Sequence, residues 1–427
     1  MNVAIVHHHL YPGGVSRVIQ SQIAALGSTP VSLLIGDEPD MPLPASVSVQ
    51  ICPALNYLEP ESCSDIHIGK TYDILTSFLQ SYLTPDSVIH AHNAGLGKNP
   101  VLTVVLNELV RSGRPLLHHC HDFAEDRPVN LAFLKQIVQG HFNLQLSDVL
   151  YPDTDYCRFA VLSSHDKDRL ISSGINASRL HLLPNPVNPP APPSRPPAEL
   201  RDSLCRHLNL DPDKQIVTYP VRVIQRKNIG EFILLATLFS DSAHWLVTLP
   251  PNNPVDLLDY ERWVSFCRDA AIPVHFAVSA DFPFADIMYA SDRVISTSIR
   301  EGFGMTFLEP WLYQKPVVGR NLPSVIDGFI RNGIDFPFLY DCIAVPGRTD
   351  INDFPRLSIT DQIDCISTCM RSSSFRSQFL TLNPQLSSVF IPVTNDQIAA
   401  NARRITTAYS LEKYGNHLHS IYNSFPA

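Results

Sequence analysis

A chain of 427 residues exceeds the usual reach of one hydrophobic core, so two domains are expected. With 44% hydrophobic residues and a mean hydropathy of +0.01 it is globular, and no apolar run approaches the length of a membrane span. The formal charge of -9 argues against a nucleic-acid binder, which carries a basic excess.

The chain opens into Val3-Ala-Ile-Val6, which reads as a first buried strand rather than a signal peptide. Further strands are predicted at 31–35, 47–52, 87–91, 115–119, 158–162 and 180–183, and helices at 15–26, 66–82, 100–111, 131–139 and 166–173. Such alternation predicts a parallel sheet covered by helices on both faces. Residues 184–197 follow, with eight prolines in fourteen positions, a composition expected to exclude helix and central strand and to give a stiff, extended connector. The alternation then resumes. Strands are predicted at 215–221, 244–249, 273–278, 292–298, 316–319 and 342–345, and helices at 229–239, 256–270, 305–314, 359–370 and 396–408. An amphipathic tail closes the chain. Two doubly wound domains facing each other across a cleft would hold a ligand at the carboxyl ends of their strands. The nine cysteines lie at irregular intervals without a CxxC pair, which suggests free thiols in a reducing cytoplasm and no zinc site.

Glu301-Gly-Phe-Gly-Met-Thr-Phe-Leu-Glu309 is the most informative stretch. A strand, a glycine turn and a new helix would bring unpaired backbone N–H groups and a helix dipole to one point, which favours phosphate. Gly302 and Gly304 let the backbone approach a ligand closely, with Phe303 between them. Carboxylates would repel phosphate, so Glu301 and Glu309 are better suited to accept from hydroxyls. A ligand with phosphates and many hydroxyls is a nucleotide sugar. The plainer alternative is an ordinary α/β turn with a solvated Glu309.

Four other segments bear on the same ligand. Gly13 and Gly14 in Tyr11-Pro-Gly-Gly-Val-Ser-Arg17 form a turn after the first strand and open a second helix N-terminus to an anion, with Arg17 either supporting it or facing solvent. Arg222, Arg226 and Lys227 follow the strand at 215–221, where cations can neutralise a departing diphosphate. Spacing alone does not rank the two arginines, and a solvated basic loop is the alternative. His118-His-Cys-His-Asp122 closes the strand at 115–119, where a histidine can donate to a sugar hydroxyl or phosphate with Asp122 orienting it, or simply pack. His90 and His92 share one face of the strand at 87–91, and at least one of them is expected to be a satisfied buried histidine. Neighbouring histidines on a strand point to opposite faces, which disfavours a metal site.

Taken together these segments resemble the retaining glycosyltransferases of family 4, which have the two-domain GT-B fold. The resemblance runs over almost the whole chain: Glu301 and Glu309 match the E-x7-E motif, Arg222 and Lys227 the Arg-x4-Lys pair, Gly13-Gly14 the glycine-rich first loop, His121-Asp122 the His-Asp after a strand, and Pro184-Asn-Pro-Val187 the Pro-Asn-x-Val segment. Three neighbours depart from the pattern: Val221 and Asn228 stand where glycine is usual, and Pro310 where a small residue is usual. Pro310 should be tolerated only near a helix start.

The resemblance implies domains at 1–188 for the acceptor and 201–401 for the donor, a linker at 189–200, and a helix within 402–427 that returns to the first domain. It further implies that Arg222 and Lys227 hold the donor diphosphate so that neither a metal nor a cofactor is required. Glu309 would take the ribose hydroxyls, Glu301 and the backbone of Gly302, Phe303 and Gly304 the sugar, His121 a sugar hydroxyl or phosphate, and Gly13 and Gly14 the phosphate. Only Arg17, Lys70, Lys98 and Arg111 are fixed cations in the first 112 residues, so no polybasic membrane anchor is expected and a small soluble acceptor is preferred. Asn93, His119, Asp122 and Arg127 are its candidate contacts. A lipid- or polysaccharide-directed transferase and a catalytically silent nucleotide-sugar-binding subunit are the alternatives.

Overall fold

The computed structural model describes residues 1–348 and 353–426. They form two compact units, Met1–Pro186 with Tyr409–Ala427, and Val187–Ala408. Residues 349–352, within the second expected domain, and residue 427, at the end of the expected tail, lie outside the described residues.

The first unit is a seven-stranded parallel sheet. Its strands are β1 (Asn2–Val6), β2 (Val31–Ile35), β3 (Val47–Ile51), β4 (Ser87–His92), β5 (Leu116–Cys120), β6 (Cys157–Val161) and β7 (Leu180–Leu182), in the order β3-β2-β1-β4-β5-β6-β7. The second unit is a six-stranded parallel sheet. Its strands are β8 (Gln215–Arg222), β9 (Ala243–Leu249), β10 (Val274–His275), β11 (Arg293–Ser296), β12 (Val317–Arg320) and β13 (Leu339–Tyr340), in the order β10-β9-β8-β11-β12-β13. Both orders run outward from a central pair and reverse there. In doubly wound sheets ligands bind at the carboxyl ends of the strands at that reversal. The reversals fall between β1 and β4 in one unit and between β8 and β11 in the other. The loops that follow these four strands carry His7–Gly14, Asn93, Arg222–Lys227 and Glu301–Gly304.

Apolar runs without polar alternation become strands buried on both faces: Val3, Ala4, Ile5 and Val6 are all buried, as are Val294 and Ile295. The C-terminal helix Leu411–Tyr422 belongs to the first unit, where Tyr414, Leu418 and Ile421 join the core formed by Val18, Ile19 and Ile23 of the helix Gly14–Leu26. Gly415 permits the contact, since a Cβ there would stand 2.7 Å from the Ala25 carbonyl oxygen. The helix before it, Asn395–Ala408, stays with the second unit.

Several predictions need correction. The proline-rich stretch ends in a helix, Pro197–Leu208, because Pro197 sits at the first helical position, where its missing N–H leaves no bond unmade. The expected strand at 342–345 is irregular: Ile343 N–H donates to Asp353 Oδ1 (2.9 Å) and Ala344 N–H to Asn383 Oδ1 (2.7 Å), so side chains supply the bonds a ladder would. The expected helix at 305–314 is a 3-10 turn, Met305–Phe307, and then one helical turn, Glu309–Leu312. Pro310 stands at the start of that turn, which is where it is tolerated. Helices at Phe284–Ala290, Pro323–Arg331 and Ser373–Leu382 lie outside the predicted ones. Among the described residues no helix is long and apolar enough to cross a membrane, and the nine cysteines are free thiols.

Candidate active-site residues

In the second unit the loops after β8 and β11 are laced together. Tyr219 OH donates to the Lys227 carbonyl (2.8 Å) and shares a hydrogen bond with Ser298 Oγ (2.7 Å), while Thr297 Oγ1 donates to the carbonyls of Lys227 (3.2 Å) and Asn228 (3.1 Å). This frame sets Glu301 at the carboxyl end of the sheet with a side chain only 6% exposed. Lys227 Nζ pairs with Glu301 Oε1, Arg226 Nη1 with Oε2 at 2.6 Å, and Ser298 Oγ donates to Oε1 at 2.7 Å. Burial alone would push this carboxyl up, but Lys227 and Arg226, with the hydrogen bonds from Lys227 and Ser298, outweigh it and hold it below the usual range. Lys227 is depressed by its own burial and by Arg226, and Glu301 offsets this only in part. The structure therefore sets a carboxylate between two cations at a sheet's ligand end, an arrangement that favours its charged form.

Arg226, not Arg222, completes this cluster. Arg222 Nη1 donates instead to the Pro250 carbonyl at 2.9 Å. Of the two cations that the motif assigns to the diphosphate, Lys227 is held by Glu301 and Arg222 by the Pro250 carbonyl.

Asn228 explains one departure noted in the sequence. Its φ is +51°, the left-handed region that a glycine would occupy freely and asparagine tolerates. Its Nδ2 donates to Glu231 Oε2 (2.9 Å) and to the Thr297 carbonyl (3.0 Å). Glu231, with 0% exposure, is in turn paired with Arg320 and accepts from Tyr340 OH at 2.8 Å, and Arg320 also binds Asp353. This buried network lies directly beneath the cationic loop. Removing one partner of such a pair leaves an uncompensated charge, so Arg320→Met should lower stability by about 3–5 kcal/mol in urea unfolding. A loss under about 1 kcal/mol would show that the network does not support the loop.

Gly304 is the fixed point of the glycine turn. Its φ is +89°, and a Cβ would stand 2.5 Å from Val325 Cγ1. Because the segment beyond it is a 3-10 turn and a single helical turn, no long helix dipole points at the loop. Phe303 is buried edge-on against Phe329, so its side chain packs inward and only its backbone remains for a ligand. Gly302 and Glu309 are partly exposed. A pocket of about 560 Å3 opens beside the loop, lined by Gln225, Arg226, Asp256, Tyr260, Trp263 and Arg300 among others.

In the first unit the histidines after β4 and β5 converge. Cross-strand register sets His92 beside His119, and His90 lies two residues back on the same face. His90, His92, His119 and His121 are all buried, as is His7 from the end of β1. His92 Nδ1 lies 2.9 Å from His121 Nε2, His92 Nε2 2.7 Å from Gln22 Oε1, His90 Nδ1 2.8 Å from Gln22 Nε2 and 2.6 Å from Tyr422 OH, and His90 Nε2 3.1 Å from His119 Nδ1. Burial holds all these rings neutral, with His121 lowered to about 4 and His90 to about 3.

The ring nitrogens of His90, His92 and His119 lie within 4.8 Å of one another, a grouping that reasoning from single strands overlooked. A tetrahedral metal with bonds of about 2.0–2.1 Å needs them closer, at roughly 3.4 Å, and both nitrogens of His90 and of His92 are already engaged in hydrogen bonds.

Two of the four expected acceptor contacts are buried and held by hydrogen bonds within the protein. His119 is 1% exposed and belongs to the buried network. Asn93, at φ +53°, accepts through its Oδ1 from the backbone N–H groups of His121 (2.8 Å) and Asp122 (3.1 Å), so it shapes the loop. Asp122 and Arg127 are partly exposed and paired at 3.0 Å. Gly13 and Gly14 are exposed at the helix start, and so is Arg17. Gln22, Tyr422, Ser298 and Tyr219 were not expected. A His-x-His on each of two neighbouring strands was the one sequence signal for the network.

No family model matches the chain. Among curated proteins it is 29% identical to the mannosylglucosyl-3-phosphoglycerate synthase of Petrotoga mobilis over 343 residues, which take in 76% of this chain and 66% of that protein, just under two thirds of its length. Among solved structures it is similar to Anabaena HepE in complex with UDP-glucose, with a TM-score of 0.62 and 15% identity over 99% of this chain and 100% of the other. It is also similar to the sucrose-phosphate synthase of Thermosynechococcus elongatus, with a TM-score of 0.60 and 16% identity over 99% and 98%. The order of its two parallel sheets and its likeness to these structures along nearly the full chain give it the GT-B glycosyltransferase fold.

Proposed function

We propose that the chain is a retaining glycosyltransferase of family 4, moving a hexose from a nucleoside-diphosphate sugar of the UDP-glucose or GDP-mannose type to a hydroxyl of a small soluble acceptor. The observation that carries this reading is the buried, ionised Glu301 held by Lys227 and Arg226 at the reversal point of the second sheet. Structural neighbours bound to UDP-glucose support a nucleotide-sugar donor. The name of the Petrotoga relative contains a phosphoglycerate, which supports a small acidic acceptor over a lipid.

In this reading Lys227 and Arg222 bind the diphosphate and stabilise it as it leaves, which supplies positive charge without a metal. Arg222 would turn from the Pro250 carbonyl to do so. Glu301 and the backbone at Gly302–Gly304 hold the sugar hydroxyls, Glu309 the ribose, and His121 a sugar hydroxyl. The acceptor oxygen attacks on the face from which the diphosphate departs, and a leaving phosphate oxygen takes its proton, so no glycosidase-like carboxylate pair is needed. Asp122 and Arg127 are the acceptor contacts that retain some exposure.

Thermal unfolding against UDP- and GDP-sugars and their free diphosphates, without added metal, tests the donor. A ligand at 100 times its Kd should stabilise by about 2.7 kcal/mol. A shift with one nucleotide family names the base. No shift with any of them removes the donor reading.

A further inference from the structure

The amide of Gln22 is the centre of the buried histidine network in the first unit. An amide has one accepting end and one donating end, so its orientation dictates the hydrogens of every ring it touches. Gln22 Oε1 faces His92 Nε2 at 2.7 Å, so His92 carries its hydrogen on Nε2 and its Nδ1 is bare. That bare nitrogen lies 2.9 Å from His121 Nε2, so His121 must donate from Nε2, leaving its own Nδ1 as a lone pair. At the other end Gln22 Nε2 donates to Tyr422 OH (3.0 Å), Tyr422 OH donates to the single lone pair of His90 Nδ1 (2.6 Å), and Gln22 Nε2 lies 2.8 Å from that same nitrogen. His90 therefore carries its hydrogen on Nε2 and gives it to His119 Nδ1 at 3.1 Å. All four rings are neutral in this arrangement, and His119 Nε2 is the one nitrogen at its end without a protein partner among the described residues. His119 also lines a cavity of about 20 Å3, the size of one water, together with His118 and Asp122.

We propose that Gln22, oriented by His90 and by Tyr422 of the C-terminal helix, is a positioning residue that fixes His121 through His92 in the Nε2–H tautomer, so that His121 offers a ligand an acceptor at Nδ1. The proposal rests on the reading of His121 as a donor-sugar contact, and it narrows that reading. A bare imidazole nitrogen accepts from a hydroxyl and repels a phosphate, so His121 takes the sugar hydroxyl of the two partners open to it. The C-terminal helix thereby acquires a chemical role, since Tyr422 OH accepts from the amide's NH2 end and passes its own hydrogen to His90. The groups facing His121 are His92 from β4, His119 from β5, His7 from the end of β1, and Asp122 beside it. Turning Gln22 end for end would reverse every hydrogen in the chain and give His121 an Nδ1–H donor, so the two states are distinct in experiment.

The experiment is nitrogen NMR of the full chain labelled on histidine, without ligand, for the native protein and for Gln22→Met. The native protein should show His121 as a single Nε2–H tautomer. Gln22→Met should show a mixture at His121, together with an approximately tenfold loss of kcat/KM for the donor, the lower end of what removing a ring-orienting partner costs. An Nδ1–H tautomer in the native protein overturns the proposal, and so does an unchanged His121 in folded Gln22→Met. If Gln22→Met does not fold, Tyr422→Phe gives the same readout, since loss of one oxygen frees the amide to turn; an unchanged tautomer there likewise overturns it. Titration with the donor then tests the contact separately: failure of His121 Nδ1 to respond would defeat the sugar contact while leaving the tautomer assignment standing.

Discussion

Lys227→Ala should lower kcat by about 10²–10³-fold, the loss that follows removal of one preorganised charge from a developing anion, equivalent to about 2.7–4 kcal/mol. Lys227 emerges where the loop after β8 meets the loop after β11, and its carbonyl is pinned by Tyr219 and Thr297. Its backbone position therefore does not depend on its side chain. Glu301 keeps Arg226 at 2.6 Å and Ser298 at 2.7 Å in the variant, so its charge stays compensated and the fold should persist. Steady-state kinetics with the donor identified by thermal shift, together with an unfolding curve, separates the two effects. Turnover near the native value in a folded variant would falsify the assignment. Arg222→Ala and Arg226→Ala sharpen the test. Arg222 has no carboxylate partner among the described residues, whereas Arg226 is engaged by Glu301 and by the Arg300 carbonyl. Arg222→Ala should therefore resemble Lys227→Ala. Arg226→Ala should act mainly by weakening the hold on Glu301.

The division between what was legible in the sequence and what was not follows from the range of the interactions. The strands of both sheets except β13 were legible because they carry β-branched or leucine residues between turn residues, as at 31–35 and 215–221, whereas the two residues of β13 are too short a run to stand out, and the strand expected nearby at 342–345 is irregular. The loops after β8 and β11 were legible as charge and glycine at strand ends. Which arginine reaches Glu301 was not, because that depends on a 3-10 turn at Gln225–Lys227 that brings Arg226 around toward β11. The segment 305–314 misled because its composition suits a helix, whereas the chain takes 3-10 bonds from Phe307 to Gly304 and from Leu308 to Met305. The histidine network depends on register between β4 and β5, and on a tyrosine 400 residues from the glutamine it binds. No local pattern encodes such a contact. Asn93 shows the same limit: a polar residue at a strand end invites a ligand role, and only the fold reveals that its oxygen already accepts from two backbone donors.

That network carries the second large expectation, a steep loss of stability in mild acid confined to the first unit. Histidines 7, 8, 90, 92, 118, 119 and 121 are all buried there. Burial is the first cause of depression in every one, taking His8, His118 and His121 to about 4 and His90 to about 3, with His7, His92 and His119 well below the ordinary value. In the unfolded chain each would titrate near 6.5. The unfolded state thus binds more protons than the folded state between about pH 6.5 and pH 4, and stability rises with pH across that window. The contribution is fully present above pH 6.5 and is lost as the pH falls from there toward the folded values. Each ring contributes up to about 1.4 kcal/mol per pH unit. Seven rings at pH 5.5 then amount to roughly 5–10 kcal/mol, comparable to the whole stability of an ordinary domain. The second unit has only His207, His244 and His275 and should change far less. Calorimetry at pH 7.5, 6.5 and 5.5 should therefore show one transition falling by many degrees while another holds, with uptake of about six protons per molecule on unfolding at pH 5.5. Two transitions that move together by only a degree or two would mean that the rings take up protons in the folded state without penalty, and the network would then be open to water rather than a sealed part of the core.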